Sequence, residues 1–247
     1  MTRKEKILGE VRAAFEHERR INLHRYPIQI AFSDGDLVLE GEVEDIIAKK
    51  LALELAAALP GVSGIVDRLC VTPAQPMGDG EIRDHIRDAL LQEPVFASCA
   101  IRVWEKGRVT MVREATREPA SMIESRVDEG VVTLNGQVSS LSHKRLAGVL
   151  AWWVPGSRDV VNGVEVVPPE DDNDDEVTDA IRLVLEKDPF VPADQIRAHT
   201  HDAVVTLEGL VMNETEKRMA ECDVWYVFGV EKVINHLTVA GGSHLQE

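Results

Sequence analysis

Three stretches of this chain align with one another without a gap: GDLVLEGEVEDIIAKKLALELAAALPGVSGIVDRLCV from Gly35, GVVTLNGQVSSLSHKRLAGVLAWWVPGSRDVVNGVEV from Gly130 and AVVTLEGLVMNETEKRMAECDVWYVFGVEKVINHLTV from Ala203. Offsets of 95 and 73 residues carry Gly41 onto Gly136 and Gly209, and the same offsets carry Gly61 onto Gly156 and Gly229. Self-similarity of this kind means one small folding unit used three times.

Each column of the alignment has a physical role. Leu37, Leu39 and Val43, with Val132, Leu134, Val138 and Val205, Leu207, Val211, alternate with polar neighbours and predict a strand burying one face. The glycine within that strand removes a side chain where a bulge or a close helix would clash. Asp45, Ser140 and Asn213 follow as N-caps of a helix, and Glu216 completes a capping box with Asn213. The helix buries Leu51, Ala52, Leu55 and Leu59 in the first copy, with Lys49 and Lys50 turned elsewhere. Ala147, Leu150, Val154 and Ala220, Val224, Val227 repeat that stripe. Gly61, Gly156 and Gly229 supply the left-handed residue that ends it, and an apolar strand closes each copy, as in Val160, Val161, Val164 and Val166. A strand, a helix and a strand so spaced predict a right-handed parallel crossover. Upstream lie a helix (Glu5–Glu18 in the first copy, Glu176–Lys187 in the third) and a short strand (Ile28–Phe32, Gln195–His199). The fold class is therefore α+β: three tandem αββαβ modules over residues 1–72, 79–168 and 174–241, each a small mixed three-stranded sheet with two helices on one face.

These residues resemble the BON domain, named for bacterial OsmY and nodulation proteins. Its pattern is a helix ending in D-P, then G-V-V-T-L-x-G-x-V, a helix with K-R or K-K near its start, and G-V-x-x-V-x-N before the last strand. The third copy has Asp188-Pro189, Val204-Val205-Thr206-Leu207-Glu208-Gly209, Lys217-Arg218 and Gly229-Val230-Glu231-Lys232-Val233-Ile234-Asn235. The second has Ser157 in place of a valine, and the first has Asp67 where asparagine is usual. The resemblance covers nearly the whole chain. It implies a binding or scaffolding protein without enzymatic activity or cofactor. It also implies a link to stress or osmotic response, with phospholipid surfaces, protein partners or potassium ions as what is bound.

The residue content agrees with a protein that binds rather than catalyses. A formal net charge of −16 repels phosphate backbones, so nucleic acid is not an expected partner. The start MTRKEKILGEVRAAFEHERR has helical periodicity and no apolar run of a leader, which reads as cytoplasmic, or as periplasmic only if a leader has been removed. Cys70, Cys99 and Cys222 are widely spaced and read as reduced thiols. The acidic run Glu170–Glu176 lacks the calcium-loop pattern and reads as a solvated linker and helix cap, while the Thr72–Gly80 stretch reads as a turn-rich joint. His199 and His201 share a face of a strand but show no third ligand, so no metal site is expected. No catalytic base with an orienting partner accompanies Ser142-His143, and phosphate-loop and dinucleotide fingerprints do not occur.

Two features stand outside the repeat. Pro94 lies 95 residues before Pro189 while Gly136 lies 73 before Gly209, so 22 residues are inserted in the second module, within about 97–119. Ile101–Arg113 there reads as a hairpin around Lys106-Gly107, rich in arginine and carrying Trp104. Arg102, Lys106, Arg108 and Arg113 with Trp104 make it a candidate surface for an anionic head group, nucleotide or acidic partner; the plainer alternative is docking on the protein's own acidic surface or a second subunit. Trp152, Trp153, Trp225 and Tyr226 occupy equivalent places late in the second helix of copies two and three, where the first copy has Ala57 and Ala58. They are candidates for packing between modules or subunits, or for a membrane interface.

Overall fold

The computed structural model describes residues 2–33, 35–117 and 120–240, and the chain divides into two compact units, Met1–Pro76 and Met77–Glu247. The first copy makes one unit, and the second and third copies make the other. In the first copy the order is α1 (Arg3–His17), β1 (Gln29–Ser33), β2 (Asp36–Val43), α2 (Ile46–Ala57) and β3 (Ile65–Val71). The second has α3 (Asp79–Gln92), β4 (Ala100–Glu105), β5 (Arg108–Arg113), β6 (Met122–Asp128), β7 (Val131–Val138), α4 (Leu141–Trp152), β8 (Asp159–Asn162) and β9 (Glu165–Val166). The third has α5 (Asp174–Lys187), β10 (Ile196–His201), β11 (Val204–Val211), α6 (Glu214–Tyr226) and β12 (Lys232–Val239).

A middle strand organises each sheet. β2, β7 and β11 run antiparallel to β1, β6 and β10 on one side and parallel to β3, β8 and β12 on the other. Every apolar side chain expected on their inner face is buried, from Leu37 to Val211. Asp45, Ser140 and Asn213 accept from Ala48, His143 and Glu216 N–H and so start the following helices. The capping box in the third copy is altered: the Glu216 carboxylate takes the N–H of Met212 at 2.8 Å and the side-chain amide of Asn213 at 2.9 Å.

The glycine of the middle strand is needed for a reason other than a bulge or a close helix. Gly41, Gly136 and Gly209 have φ of 143°, 124° and 143°, where a side chain is strained. A Cβ on Gly41 would stand 2.8 Å from the carbonyl oxygen of Pro27, and on Gly136 and Gly209 it would press closer on the carbonyls of Met122 and Gln195. The neighbouring antiparallel strand thus enters against bare backbone. Gly61 and Gly229 end their helices at φ of 97° and 96°, but Gly156 lies outside the left-handed region. Its role is space, since a Cβ there would meet Met77 Cβ at 2.6 Å and Ile82 Cγ1 at 2.8 Å.

The lysine and asparagine columns form a fastener between helix and last strand. Asn235 donates its amide to the Lys217 carbonyl at 3.2 Å and accepts from Leu237 N–H at 3.1 Å, while the Lys217 ammonium reaches the Leu237 carbonyl at 2.7 Å. Asn162 makes the same two bonds, to Lys144 O at 2.8 Å and from Val164 N–H at 3.3 Å. Asp67 has no amide to donate. It accepts from Leu69 N–H at 2.9 Å and holds the Lys49 ammonium at 3.0 Å, with Lys49 also on the Leu69 carbonyl. Lys49 is therefore buried, not turned outward as the periodicity predicts.

The inserted hairpin does not stand apart from the second module. β4 pairs with β5 across the turn at Lys106 and Gly107 (φ of 50° and 80°) and lies parallel along the outer edge of β6. The result is a six-stranded sheet in the order β5-β4-β6-β7-β8, with β9 also on β7. The last strand, expected to be continuous, breaks at Gly163, whose N–H bonds the Leu134 carbonyl at 2.8 Å.

Two glycine-to-alanine replacements test this account with opposite signs. Gly209→Ala should lower the stability of the Met77–Glu247 unit by about 3 kcal/mol or more, read from urea unfolding. Gly9→Ala, in the interior of α1 with open space around it, should raise the stability of the Met1–Pro76 unit by roughly 0.5–1 kcal/mol.

Candidate functional site

Cross-strand register puts Arg102 beside Met111 and Trp104 beside Val109, so these four share the face of the sheet that the helices leave open. Ile101 and Val103, on the other face, are buried under α3. Arg126 of β6 places its guanidinium over the Trp104 ring, 5.8 Å from the centroid. β5 is the end strand, and Val109 (41%), Met111 (43%) and Val112 (36%) are exposed. Lys106 and Arg108 are exposed at the turn. Arg113 is committed elsewhere: its guanidinium donates to the carbonyls of Cys99 (3.0 Å), Leu91 (3.3 Å) and Phe96, tying the hairpin to the end of α3.

The aromatic positions gather where the second and third modules meet. Trp152 stacks on Tyr226 with centroids 5.3 Å apart, and the indole N–H of Trp153 donates to Asp223 at 2.8 Å. Trp225 is buried, and its own N–H finds no partner among the described residues. Lys187 at the end of α5 holds both oxygens of Glu93 at 2.9 Å. In the alignment Tyr226 is the counterpart of Trp153, and Lys187 that of Gln92, the neighbour of Glu93. The equivalent Ala57 and Ala58 of the first module are exposed.

Polar groups buried in this contact escape the sequence reading. Arg145 is buried, donating to the Phe228 carbonyl at 2.9 Å and to Asp172 at 2.6 Å. The acidic linker is thus a fastener as well as a solvated stretch: Glu170 accepts from Leu141 N–H at 2.8 Å, and Asn173 caps α5. Asp223 is buried where the other copies have Leu55 and Leu150, and a carboxylate in a leucine column is the signal that could have exposed it. Burial pushes its carboxyl up to about 8; the Trp153 hydrogen bond opposes this and neighbouring Asp188 reinforces it. Asp188 and Asp223 form a pair of titratable groups, but they line neither the cleft beside β10 nor the one on α3.

Asp174, His201 and Asp202 bring ligand atoms within 4.8 Å of one another, whereas His199 stands outside the group. The Asp174 carboxylate is already used by the β10–β11 turn, accepting from Asp202 N–H at 2.8 Å and Ala203 N–H at 3.1 Å, and those bonds hold its carboxyl below the usual range. Asp79 clamps the β6–β7 turn the same way, through Glu129 and Gly130 N–H. The trio is explained as a recurring turn clamp. Among the described residues no helix is long and apolar enough to cross a membrane.

The model of the BON domain family matches residues 4–73, 110–168 and 173–241. The chain belongs to the BON domain family. The middle match starts inside the hairpin, because the insertion separates α3 from the rest of its BON module. Osmotically-inducible protein Y of Escherichia coli (strain K12) is 31% identical over 121 residues, 47% of this chain and 60% of that protein, so the match spans less than two thirds of the relative's length. Among solved structures, the C-terminal domain of CdsD, a structural protein of the type III secretion system of Chlamydia trachomatis, is 15% identical. That likeness covers 95% of this chain and 97% of that one with a TM-score of 0.25, too low to carry an argument.

Asp223 makes the contact between the second and third BON modules sensitive to pH. Its folded-state pKa is raised, so its stabilising contribution is full below about 4, falls as pH rises towards about 8, and is lost above that. Asp223→Asn keeps an acceptor for Trp153 without a charge. Its melting temperature relative to the parent should climb between pH 4 and 8 and then level off; a difference independent of pH would refute the assignment.

Proposed function

We propose that this protein is a non-enzymatic binding protein of the osmotic-stress response that docks on anionic phospholipid through the hairpin of its second BON module. The link to osmotic stress is supported by the similarity to an osmotically inducible protein. The wide sequence spacing of Cys70, Cys99 and Cys222 supports a reducing, cytoplasmic setting. The observation that carries the docking reading is the open sheet face, where Trp104, Val109 and Met111 lie beside Arg102, with Lys106 and Arg108 exposed at the adjoining hairpin turn. Apolar side chains there can enter the headgroup region while the guanidinium groups meet phosphate, each cation contributing about 1 kcal/mol near an anionic surface. The net charge of −16 opposes approach by any other face and sets the orientation.

Vesicle flotation tests this directly. The full chain should float with phosphatidylcholine vesicles containing phosphatidylglycerol at low salt, and should be released by high salt. The double variant Arg102→Glu, Arg108→Glu should bind at least ~10-fold more weakly. Absence of flotation, or flotation indifferent to the variant, refutes the reading. Exchanging potassium for sodium should leave the melting curve unchanged; a shift would favour an ion-binding role instead.

A further inference from the structure

In the second module the outer edge of β6 is occupied. β4 lies along it, with Ala100, Ile101, Arg102 and Val103 beside Met122, Ile123, Glu124 and Ser125. Ile101 and Val103 fill the space under α3, and Ile101 packs with Ile82, Ile86 and Leu90. β10 is the counterpart of β6, because Ile196 lies opposite Gly209 as Ile123 lies opposite Gly136. Yet β10 carries no strand on its outer side among the described residues. A cleft of about 470 Å³ opens there between α5 and β10, with Leu185, Ala193, Ile196 and Ala198 in its lining, Arg182 and Arg197 beside them, and the acidic Glu186, Asp194 and Glu208 also at its walls.

We propose that the third module takes an extended segment of a partner protein as an added strand along β10, in the place that β4 fills in the second module. An unpaired edge offers the backbone donors and acceptors, and the cleft offers room for alternate apolar side chains. Charge defines the partner. Arg102 of β4 lies beside Glu124 of β6, and on β10 the position of Glu124 is held by Arg197. The arriving strand is therefore the charge-inverted image of Ile101-Arg102-Val103: apolar, acidic, apolar, with its apolar side chains turned under α5. This site is separate from the hairpin face and stands or falls independently of the membrane reading.

The probe is a labelled peptide spanning Ser98–Lys106 with Arg102→Glu, compared with the unaltered peptide, each titrated into the full chain by fluorescence anisotropy. The acidic peptide should bind about tenfold more tightly, and Arg197→Glu, at an exposed position, should reverse the preference. Hydrogen exchange should slow at the amides of Ile196–His201 when the peptide is present. Failure of both peptides to bind, a preference that survives Arg197→Glu, or protection at another edge overturns the proposal. A dimer that already protects β10 without peptide overturns it too, in favour of a second copy as the occupant.

Discussion

The middle strand of each module is the element on which everything else depends. It is paired on both sides, antiparallel to one neighbour and parallel to the other, and its inner face is buried completely at Leu37, Val132 and Val205. Both demands meet at one glycine, where the adjacent strand enters carbonyl-first against a backbone at positive φ. Any larger residue there would have to move the backbone of the next strand, which would shift the register that puts apolar side chains beneath the helices. The helix–strand fastener of lysine and asparagine then sets the parallel partner at the correct height.

With that frame held constant, the three modules differ at their margins. The second carries a hairpin on the edge strand, and so has a wide sheet whose end strand is uncovered on both faces. In the third, no strand among the described residues covers that edge, which lies beside a cleft. The second and third also share a helix contact, sealed by Trp152 on Tyr226 and by Lys187 on Glu93, that joins them into one compact unit. Burying Asp223, Arg145 and the Trp225 indole in that contact carries a penalty, since an unpartnered polar group costs about 1–3 kcal/mol.

The hairpin was legible because alternation and a Lys-Gly turn are local signals, and the module pattern was legible because three copies report the same columns. Arg113 was not: its place among the basic residues suggested a ligand, whereas the fold bends it back onto the carbonyls of Cys99, Leu91 and Phe96. The burial of Lys49 is hidden from the sequence for a related reason, since helical periodicity places its Cα but says nothing of a long side chain that can reach the Leu69 carbonyl. Asp223 lies in a column of leucines, and a buried carboxyl is recognised only once its neighbours are known.

Sequence alone determined the repeat, the order of elements, the caps and the inner face of every middle strand, because these follow from contacts within a few residues or from a period that three copies confirm. Tertiary structure alone decided that β4 lies along β6, that the second and third modules join through their helices, and that among the described residues no strand covers the edge of β10. Those outcomes depend on which surfaces remain uncovered after each module has folded, and that competition between distant parts of the chain leaves no trace in local pattern.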